Sequence, residues 1–355
     1  MQNGISLYFG LGASAQENAA LLERAAARGI RRVFTSLQIP EADVRSLRRE
    51  FIGFLQLAQS LHMEIISDFS PAACRLLNMP KLSFSQLKVW GVSTLRVDCG
   101  YSPEEIAAFS HNDKNICLQL NASTVTPAFL RRLTAAGADF SRIDALHNFY
   151  PRPGTGLNTD FFRKKNELLA LWGIRASAFV PGAHKRAPLR RGLPTLEEHR
   201  DASICFAARH LRLLGAASVF IGDELPTDAE LDALAAATEP LRLKARLLSK
   251  DAAVRELLGG VFTTRLDEAR DALRAQESRE RLQAFVAPEN TATRPVGAVT
   301  LDNASYGRYM GELQIIKRDQ DADPKVNVVA ELLEDERRLL SFIRPGQAFA
   351  FDFVP

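Results

Sequence analysis

The first 250 residues alternate two kinds of hydrophobic pattern. Short apolar runs recur at Ile5–Phe9, Arg32–Leu37, Glu64–Phe69, Thr94–Cys99, Ile116–Asn121, Ile143–Phe149, Ile174–Val180 and Ser218–Ile221. Runs of this length, bounded by turn signals, are what buried strands look like. Between them lie stretches of helical period such as ENAALLERAAARG and TPAFLRRLTAAGA, with Gly29 and Gly137 where a helix would close. Eight strands alternating with helices predict a (β/α)₈ TIM barrel, with an open doubly wound sheet as the alternative. The segment 228–248 reads as the last barrel helix. From residue 249 the pattern changes. A charged helical stretch is expected near 266–281, followed by strand-like runs at Val296–Leu301, Gly311–Ile316, Val326–Val329 and Ala348–Phe353. The organisation expected is therefore a catalytic barrel over 1–248 and a small, mostly β domain over 249–355.

Period-two alternation says which strand residues point inward. In Thr94–Cys99, Leu95, Val97 and Cys99 share the apolar face, which leaves Arg96 and Asp98 facing the barrel axis. Glu64, Ile66 and Asp68 share one face of the preceding run. Buried charges are costly unless paired or used. An internal ion pair of Arg96 with Glu64 or Asp68 meets that condition, whereas Asp98 stands at the rim. Barrel enzymes carry their chemistry at the C-terminal strand ends. Residues expected there are Tyr8, Ser36, Asp68, Asp98, Gln119, Asn121, His147, Asn148 and the Asp223-Glu224 pair. Asp68 and Asp98 end adjacent strands, ~4.8 Å apart in a sheet, and two facing carboxyls suit glycoside hydrolysis. Asp223 continues the apolar parity of Val219 and Ile221, so it would face a ligand only if the chain turned there.

Two loops invite an anionic ligand. Residues 144–155, DALHNFYPRPGT, run from a strand into a stiff turn in which Pro151 and Pro153 flank Arg152. They offer His147, Asn148, Tyr150 and Arg152 as sugar or phosphate contacts; a wet turn with a locally satisfied histidine is the plainer alternative. The loop after the seventh strand carries His184, Lys185, Arg186, Arg190 and Arg191, at the end of the barrel where phosphate sites recur. A solvated lid is the alternative there.

Composition narrows the classes. The chain has 355 residues, 46% hydrophobic and 25% charged, and 45 basic against 42 acidic residues give a net charge of +3. That balance is unlike a dedicated nucleic-acid binder. No apolar run approaches the ~20 residues of a membrane span, and no signal peptide is seen, so a cytoplasmic protein is expected. Cys74, Cys99, Cys117 and Cys205 lack metal or disulfide spacing and read as reduced, buried thiols. Gly10–Ala15 matches the loose form G-x-G-x-x-A, but the next strand ends in Thr35-Ser36-Leu37-Gln38 without the acidic residue a dinucleotide site needs. With no H-E-x-x-H, P-loop or G-x-S-x-G motif, neither cofactor nor catalytic metal is expected.

Longer phrases carry a resemblance. RRVFTSLQIPE (31–41), LQLNAST (118–124), HNFYPRPGTGL (147–157), AFVPG (178–182), RGLPTLEEHR (191–200), VFIGD (219–223), LDNASYGRYMGELQI (301–315) and KVNVV (325–329) together resemble the bacterial 6-phospho-N-acetylmuramidases. The resemblance implies a TIM barrel followed by a cyclophilin-like β-barrel. It also implies cleavage of a 6-phosphorylated MurNAc–GlcNAc disaccharide during cytoplasmic recycling of cell-wall fragments. Two departures stand out: VPGAHKRAPL (180–189) has Ala183 where the family phrase has an acidic residue, and LRVDCG (95–100) has Cys99 in place of an aromatic. The combined expectation is a glycosidase with Asp98 and Asp68 as the catalytic pair. Asn121, His147, Asn148, Tyr150, Arg152, Lys185, Arg186, Arg190 and Asp223 are then substrate contacts. The partner is a phosphorylated amino-sugar disaccharide, with no nucleic acid or membrane, and a homodimer is an option. The competing reading is a phosphosugar-binding protein without catalysis.

Overall fold

A computed structural model describes residues 2–9, 13–36, 53–68, 82–98, 100–238, 240–282 and 284–354. Gly10–Gly12 of the glycine motif, Leu37, Gln38, Cys74 and Cys99 lie outside the described residues. The chain divides into two compact units, Met1–Ala236 and Ala237–Pro355.

The first unit is a closed barrel of eight parallel strands in sequence order. They are β1 (Gly4–Leu7), β2 (Arg32–Ser36), β3 (Glu64–Asp68), β4 (Thr94–Val97), β5 (Cys117–Asn121), β6 (Ile143–Leu146), β7 (Ala176–Val180) and β8 (Ser218–Ile221). Closure comes from pairing of β1 with β8, Gly4 opposite Phe220. The helices start where the chemistry of the sequence puts them. Ser14 and Glu17 form a capping box at Ala15–Ala27, and Ser102 and Glu105 form another at Pro103–Ser110. Each box satisfies backbone N–H groups that a helix start leaves open. Asn158 caps Thr159–Ala170 through the N–H of Phe161.

Alternation sorts the strand side chains into layers, as barrel packing requires. The lowest layer is ionic. Buried Arg32 binds Glu64 at 2.7 Å and Asp144 at 2.6 Å, while Thr94 and Gln119 donate to those carboxylates at 2.7 and 2.9 Å. Above it lie Phe34, Ile66, Leu146, Phe179 and Phe220, with Tyr8, Leu193 and Phe149 packed against them. A polar layer closes the top.

The second unit is a seven-stranded sheet in the order β10-β15-β9-β14-β12-β13-β11. Its strands are β9 (Leu241–Leu247), β10 (Val261–Thr263), β11 (Ala272–Arg274), β12 (Ala298–Asp302), β13 (Leu313–Ile316), β14 (Val326–Leu332) and β15 (Ala348–Val354). All neighbours are antiparallel except β15 and β9.

Two expectations are corrected here. The last barrel helix is Asp228–Ala236, and the remainder of 228–248 contains β9 of the second unit. The division therefore falls after Ala236 and not after residue 248. The residues of LRLKARL all tolerate a helix, but Leu241, Leu243 and Ala245 are buried while Arg242, Lys244 and Arg246 are exposed. That period-two pattern outweighs intrinsic propensity. The helical stretch expected near 266–281 reduces to Ser278–Arg281, preceded by β11.

Candidate active site

Arg96 is the hub of the polar layer. Its guanidinium is buried at the top of β4 and donates to the Leu146 carbonyl at 2.8 Å and to Asn148 Oδ1 at 2.9 Å. Two carboxylates gather on its remaining edge. Asp68 Oδ1 lies 3.3 Å from Nε, and Asp98 Oδ1 lies 3.7 Å from Nη2. Sharing one guanidinium, with these contacts, keeps the two carboxyls within the ~10 Å over which glycosidase pairs operate. Arg96 does not pair with Glu64, which belongs to the ionic layer below.

The two carboxyls stand in different surroundings. Asp68 is enclosed, and burial raises its pKa to about 6; Arg96 and a hydrogen bond from Ser36 oppose the shift, and the charge of Asp98 adds to it. Its Oδ1 has no hydrogen-bond partner. Asp98 is exposed at the rim and receives Asn121 Nδ2 at 2.6 Å. Asn121 is held in turn by the Ser123 N–H on its Oδ1, at 3.0 Å. One carboxyl is thus sheltered from water with a raised pKa, and its neighbour is open and accepts an amide hydrogen bond.

Opposite them, the loop after β7 folds over the mouth. Asp223 is fully buried just past β8 and accepts backbone N–H groups of Gly182, Arg186 and Leu193 at 2.9, 2.9 and 3.0 Å. It shapes the loop, so that its carboxylate, expected as a substrate contact, is engaged by the backbone of residues 182–193. The loop it shapes places the Arg186 guanidinium 4.1 Å from the Tyr8 ring centre and 5.1 Å from that of Phe149. Tyr8 donates to the Gly222 carbonyl at 2.8 Å, and burial pushes its phenol pKa up, so it is a neutral platform. Arg186 Nε is buried without a partner, and so is Glu224 Oε1. Buried polar atoms left unpaired in this way ask for a ligand or water. The other loop cations are less committed: Lys185 reaches Asp201 at 3.3 Å, and Arg190 is exposed on left-handed backbone.

The stretch at 144–155 is placed differently from expectation. Asp144, Leu146 and Asn148 face the barrel axis, so His147 between them faces the helices. His147 is fully buried, with Nδ1 3.2 Å from Ser123 Oγ and Nε2 3.0 Å from Asn166 Oδ1. Burial drives its pKa down to about 4. Both ring nitrogens are occupied, which corrects the expectation that it binds sugar; the alternation used on β4 would have shown this on β6. Asn148 is spent on Arg96, and its carbonyl accepts from Thr195 Oγ1 at 2.9 Å.

Beyond it, Arg200 staples the loop. Its guanidinium donates to the carbonyls of Tyr150 and Arg152 at 2.9 and 3.3 Å and to both oxygens of Glu197 at 2.7 Å. Glu197 receives the N–H groups of Gly154 and Gly156, and with Arg200 as the main cause its pKa falls to about 2. A Cβ on Gly156 would meet Glu197 backbone at 2.7 Å, so only glycine allows this approach. Tyr150 is half-buried and Arg152 is exposed, at the rim of the mouth.

Models of the 6-phospho-N-acetylmuramidase N-terminal and C-terminal regions match residues 3–236 and 241–352. The chain belongs to the 6-phospho-N-acetylmuramidase family. Both family regions coincide with the two structural units, and the phrases HNFYPRPGTGL and RGLPTLEEHR prove to be the two sides of the Arg200 staple. An uncharacterised Bacillus cereus protein of known structure is 28% identical, with a TM-score of 0.84 and 99% of each chain covered. A conserved Enterococcus faecalis protein of unknown function is 34% identical, with a TM-score of 0.69, covering 99% of this chain and 96% of the other. No curated protein matches the chain.

Among the described residues, no group of three or more His, Cys, Asp or Glu is arranged to hold a metal ion, and no helix is long and apolar enough to cross a membrane. Cys117 is exposed and Cys205 half-buried, so the buried thiols expected at these positions are not seen.

Proposed function

We propose that this chain hydrolyses the glycosidic bond of a 6-phosphorylated N-acetylmuramic acid disaccharide, with Asp68 and Asp98 as the reacting carboxyls. The observation that carries the reading is the unequal pair on Arg96: a sheltered carboxyl whose pKa burial raises to about 6 beside an exposed one that accepts a hydrogen bond from Asn121. Glycoside hydrolysis needs a group that holds a proton for the leaving oxygen and a second that stays charged. Asp68 gives its proton to the glycosidic oxygen as the C–O bond breaks; a water then bonds the anomeric carbon and returns a proton to the Asp68 carboxylate. Asp98 supplies the negative charge that an oxocarbenium-like transition state requires. Asn121 and Arg96 hold that carboxylate in place.

The phosphate is assigned to Arg186. Its guanidinium is fixed over Tyr8 and Phe149, and its buried Nε has a hydrogen to give. Lys185, Arg190 and Arg152 stand at the rim, where they steer the anion rather than clamp it. Binding energy taken from the phosphate, remote from the bond broken, orients the sugar over the carboxyls. We read the role as recycling of cell-wall fragments in the cytoplasm, a step beyond the muramidase activity that the family description names. A cyclophilin-like second domain is part of the same reading, and its seven-stranded, mostly antiparallel sheet is compatible with it.

The test is Asp98→Asn. Turnover of the phosphorylated disaccharide should fall by at least about 10³-fold while phosphosugar binding survives, because removing a charge used mainly in the transition state leaves ground-state affinity. Full activity in that variant would remove Asp98 from the mechanism.

A further inference from the structure

The second unit has a groove of its own, with a volume of about 370 Å³. One wall is the helix Ala252–Leu258, where Ala253, Glu256 and Leu257 share a face at three- and four-residue spacing. The other is Arg281 and the residues that follow the short helix Ser278–Arg281, Leu282 and Ala284. Gly260 joins the two walls. A Cβ there would stand 3.2 Å from both Arg281 Nη1 and the Leu257 carbonyl, so glycine keeps the groove open.

Two large apolar side chains stand in water at the rim. Val261 follows Gly260 in the chain and is 45% exposed, and Phe285 follows Ala284 and is 72% exposed. An apolar knob and an apolar hole thus lie side by side on one surface. Single exposed hydrophobics are ordinary, but two that flank an apolar groove make a patch of the kind that association buries. Charge is laid out in the same way. Glu256 is exposed on the helix wall. Arg281, on the other wall, is held by its bond to the Val261 carbonyl and lies 5.4 Å from the Phe262 ring centre, which leaves its Nε and Nη2 hydrogens to give.

We infer that this face pairs with a second copy of the chain about a two-fold axis, Phe285 of each filling the groove of the other. A two-fold interface presents one patch twice, so that patch must carry a knob beside a hole and both signs of charge. This one does. Glu256 of each chain then meets Arg281 of the other. A small ligand in the groove would leave Phe285 and Val261 in water, whereas a second copy covers them. An aromatic side chain seated in a pocket is the usual anchor of such a contact. The inference is independent of the hydrolase reading.

Sedimentation velocity on the full chain over a range of concentrations tests it. Wild type should sediment as a dimer, and Phe285→Glu should weaken association at least about 30-fold, the scale of one lost aromatic anchor. Phe285 is exposed, so this change leaves the core alone. Charge reversal tests the two-fold arrangement itself. Glu256→Arg and Arg281→Glu should each weaken the dimer about tenfold, because like charges then face each other at both contacts. Mixing the two variants should restore association, since a Glu256→Arg chain opposite an Arg281→Glu chain has opposite charges at both. A change in the fold of one chain cannot produce that rescue. A wild type that stays monomeric at ~100 µM, about 100-fold above a micromolar Kd, would overturn the inference. So would a dimer that Phe285→Glu leaves intact, or a mixture that associates no more tightly than its two components.

Discussion

Asp68 and Asp98 differ because their neighbours differ, and each neighbour can be changed singly. Burial is the largest cause of the raised Asp68 pKa, and the Asp98 charge adds to it. Replacing Asp98 by Asn removes a like charge, so the Asp68 pKa should drop below about 6. A ¹³C NMR titration of the Asp68 carboxyl in the two proteins reads this directly. A pKa that stays put or rises in Asp98→Asn would mean that the two groups do not sense each other. The same coupling sets the activity profile. Asp68 must hold its proton to serve as the acid, so kcat/KM should decline as pH rises through about 6.

At the scale of elements, period-two alternation is the most informative signal in the chain. On β4 it put Arg96 and Asp98 in the mouth, where both stand. On β6 the same rule assigns His147 to the helix side, but the run HNFYPRP reads as a ligand loop when taken as a block. On β9, LRLKARL alternates strictly, yet its residue types and its position after a helix conceal the strand. Other features had no local signal at all. That Arg186 would lie over Tyr8 and Phe149 depends on Asp223 drawing in three backbone N–H groups from a loop 30 to 41 residues earlier. That Arg200 would hold the carbonyls of Tyr150 and Arg152 depends on two loops meeting in space.

The placement of His147 has a consequence for stability. Its folded pKa of about 4 lies below the ordinary value of 6.5, so the unfolded chain binds more protons between those limits. Stability from this group is complete above pH 6.5 and is lost as pH falls toward 4. His147→Ala should cost about 2–4 kcal/mol at pH 7, from the cavity and the two side chains left unbonded. Denaturant unfolding at pH 7 and pH 4.5 should show that the cost shrinks in acid. An equal cost at both pH values would contradict the buried, neutral imidazole.

At the scale of the molecule, each unit stacks its polar chemistry on a continuous apolar layer. In the barrel the layer of Phe34, Ile66, Leu146, Phe179 and Phe220 separates the Arg32 ion cluster from the mouth. The lower cluster is closed off from the mouth, and in the upper one Arg186 Nε and Glu224 Oε1 are buried without a partner. In the second unit, Asn303 and Asn327 are buried and bonded to each other at 2.8 Å, which fixes the turn carrying exposed Tyr306 and Tyr309. Beside it, burial raises the pKa of Asp302 to about 7, with Glu312 and Asp323 adding to the shift and Arg294 and Arg279 opposing it. The native state keeps this proton where the unfolded chain has lost it, so Asp302 weakens the unit increasingly as pH rises from about 4 to 7. Asp302→Asn should therefore slow hydrogen exchange of the β12 and β14 amides more at pH 8 than at pH 5, after correction for intrinsic rates. An equal effect at both would show that Asp302 is ionised throughout.

The central claim is that one end of the barrel mouth clamps a phosphate while the carboxyls on Arg96 cleave the adjoining bond. Its most direct test is to give the wild-type chain and Arg186→Met equal amounts of the phosphorylated disaccharide and its unphosphorylated counterpart and to follow products by mass spectrometry. Wild type should favour the phosphorylated substrate by on the order of 10²-fold or more, and Arg186→Met should lose most of that preference, since charge-assisted hydrogen bonds to phosphate are worth ~1.5–3 kcal/mol each. Equal cleavage of the two substrates by wild type, or a preference untouched in Arg186→Met, would contradict the account.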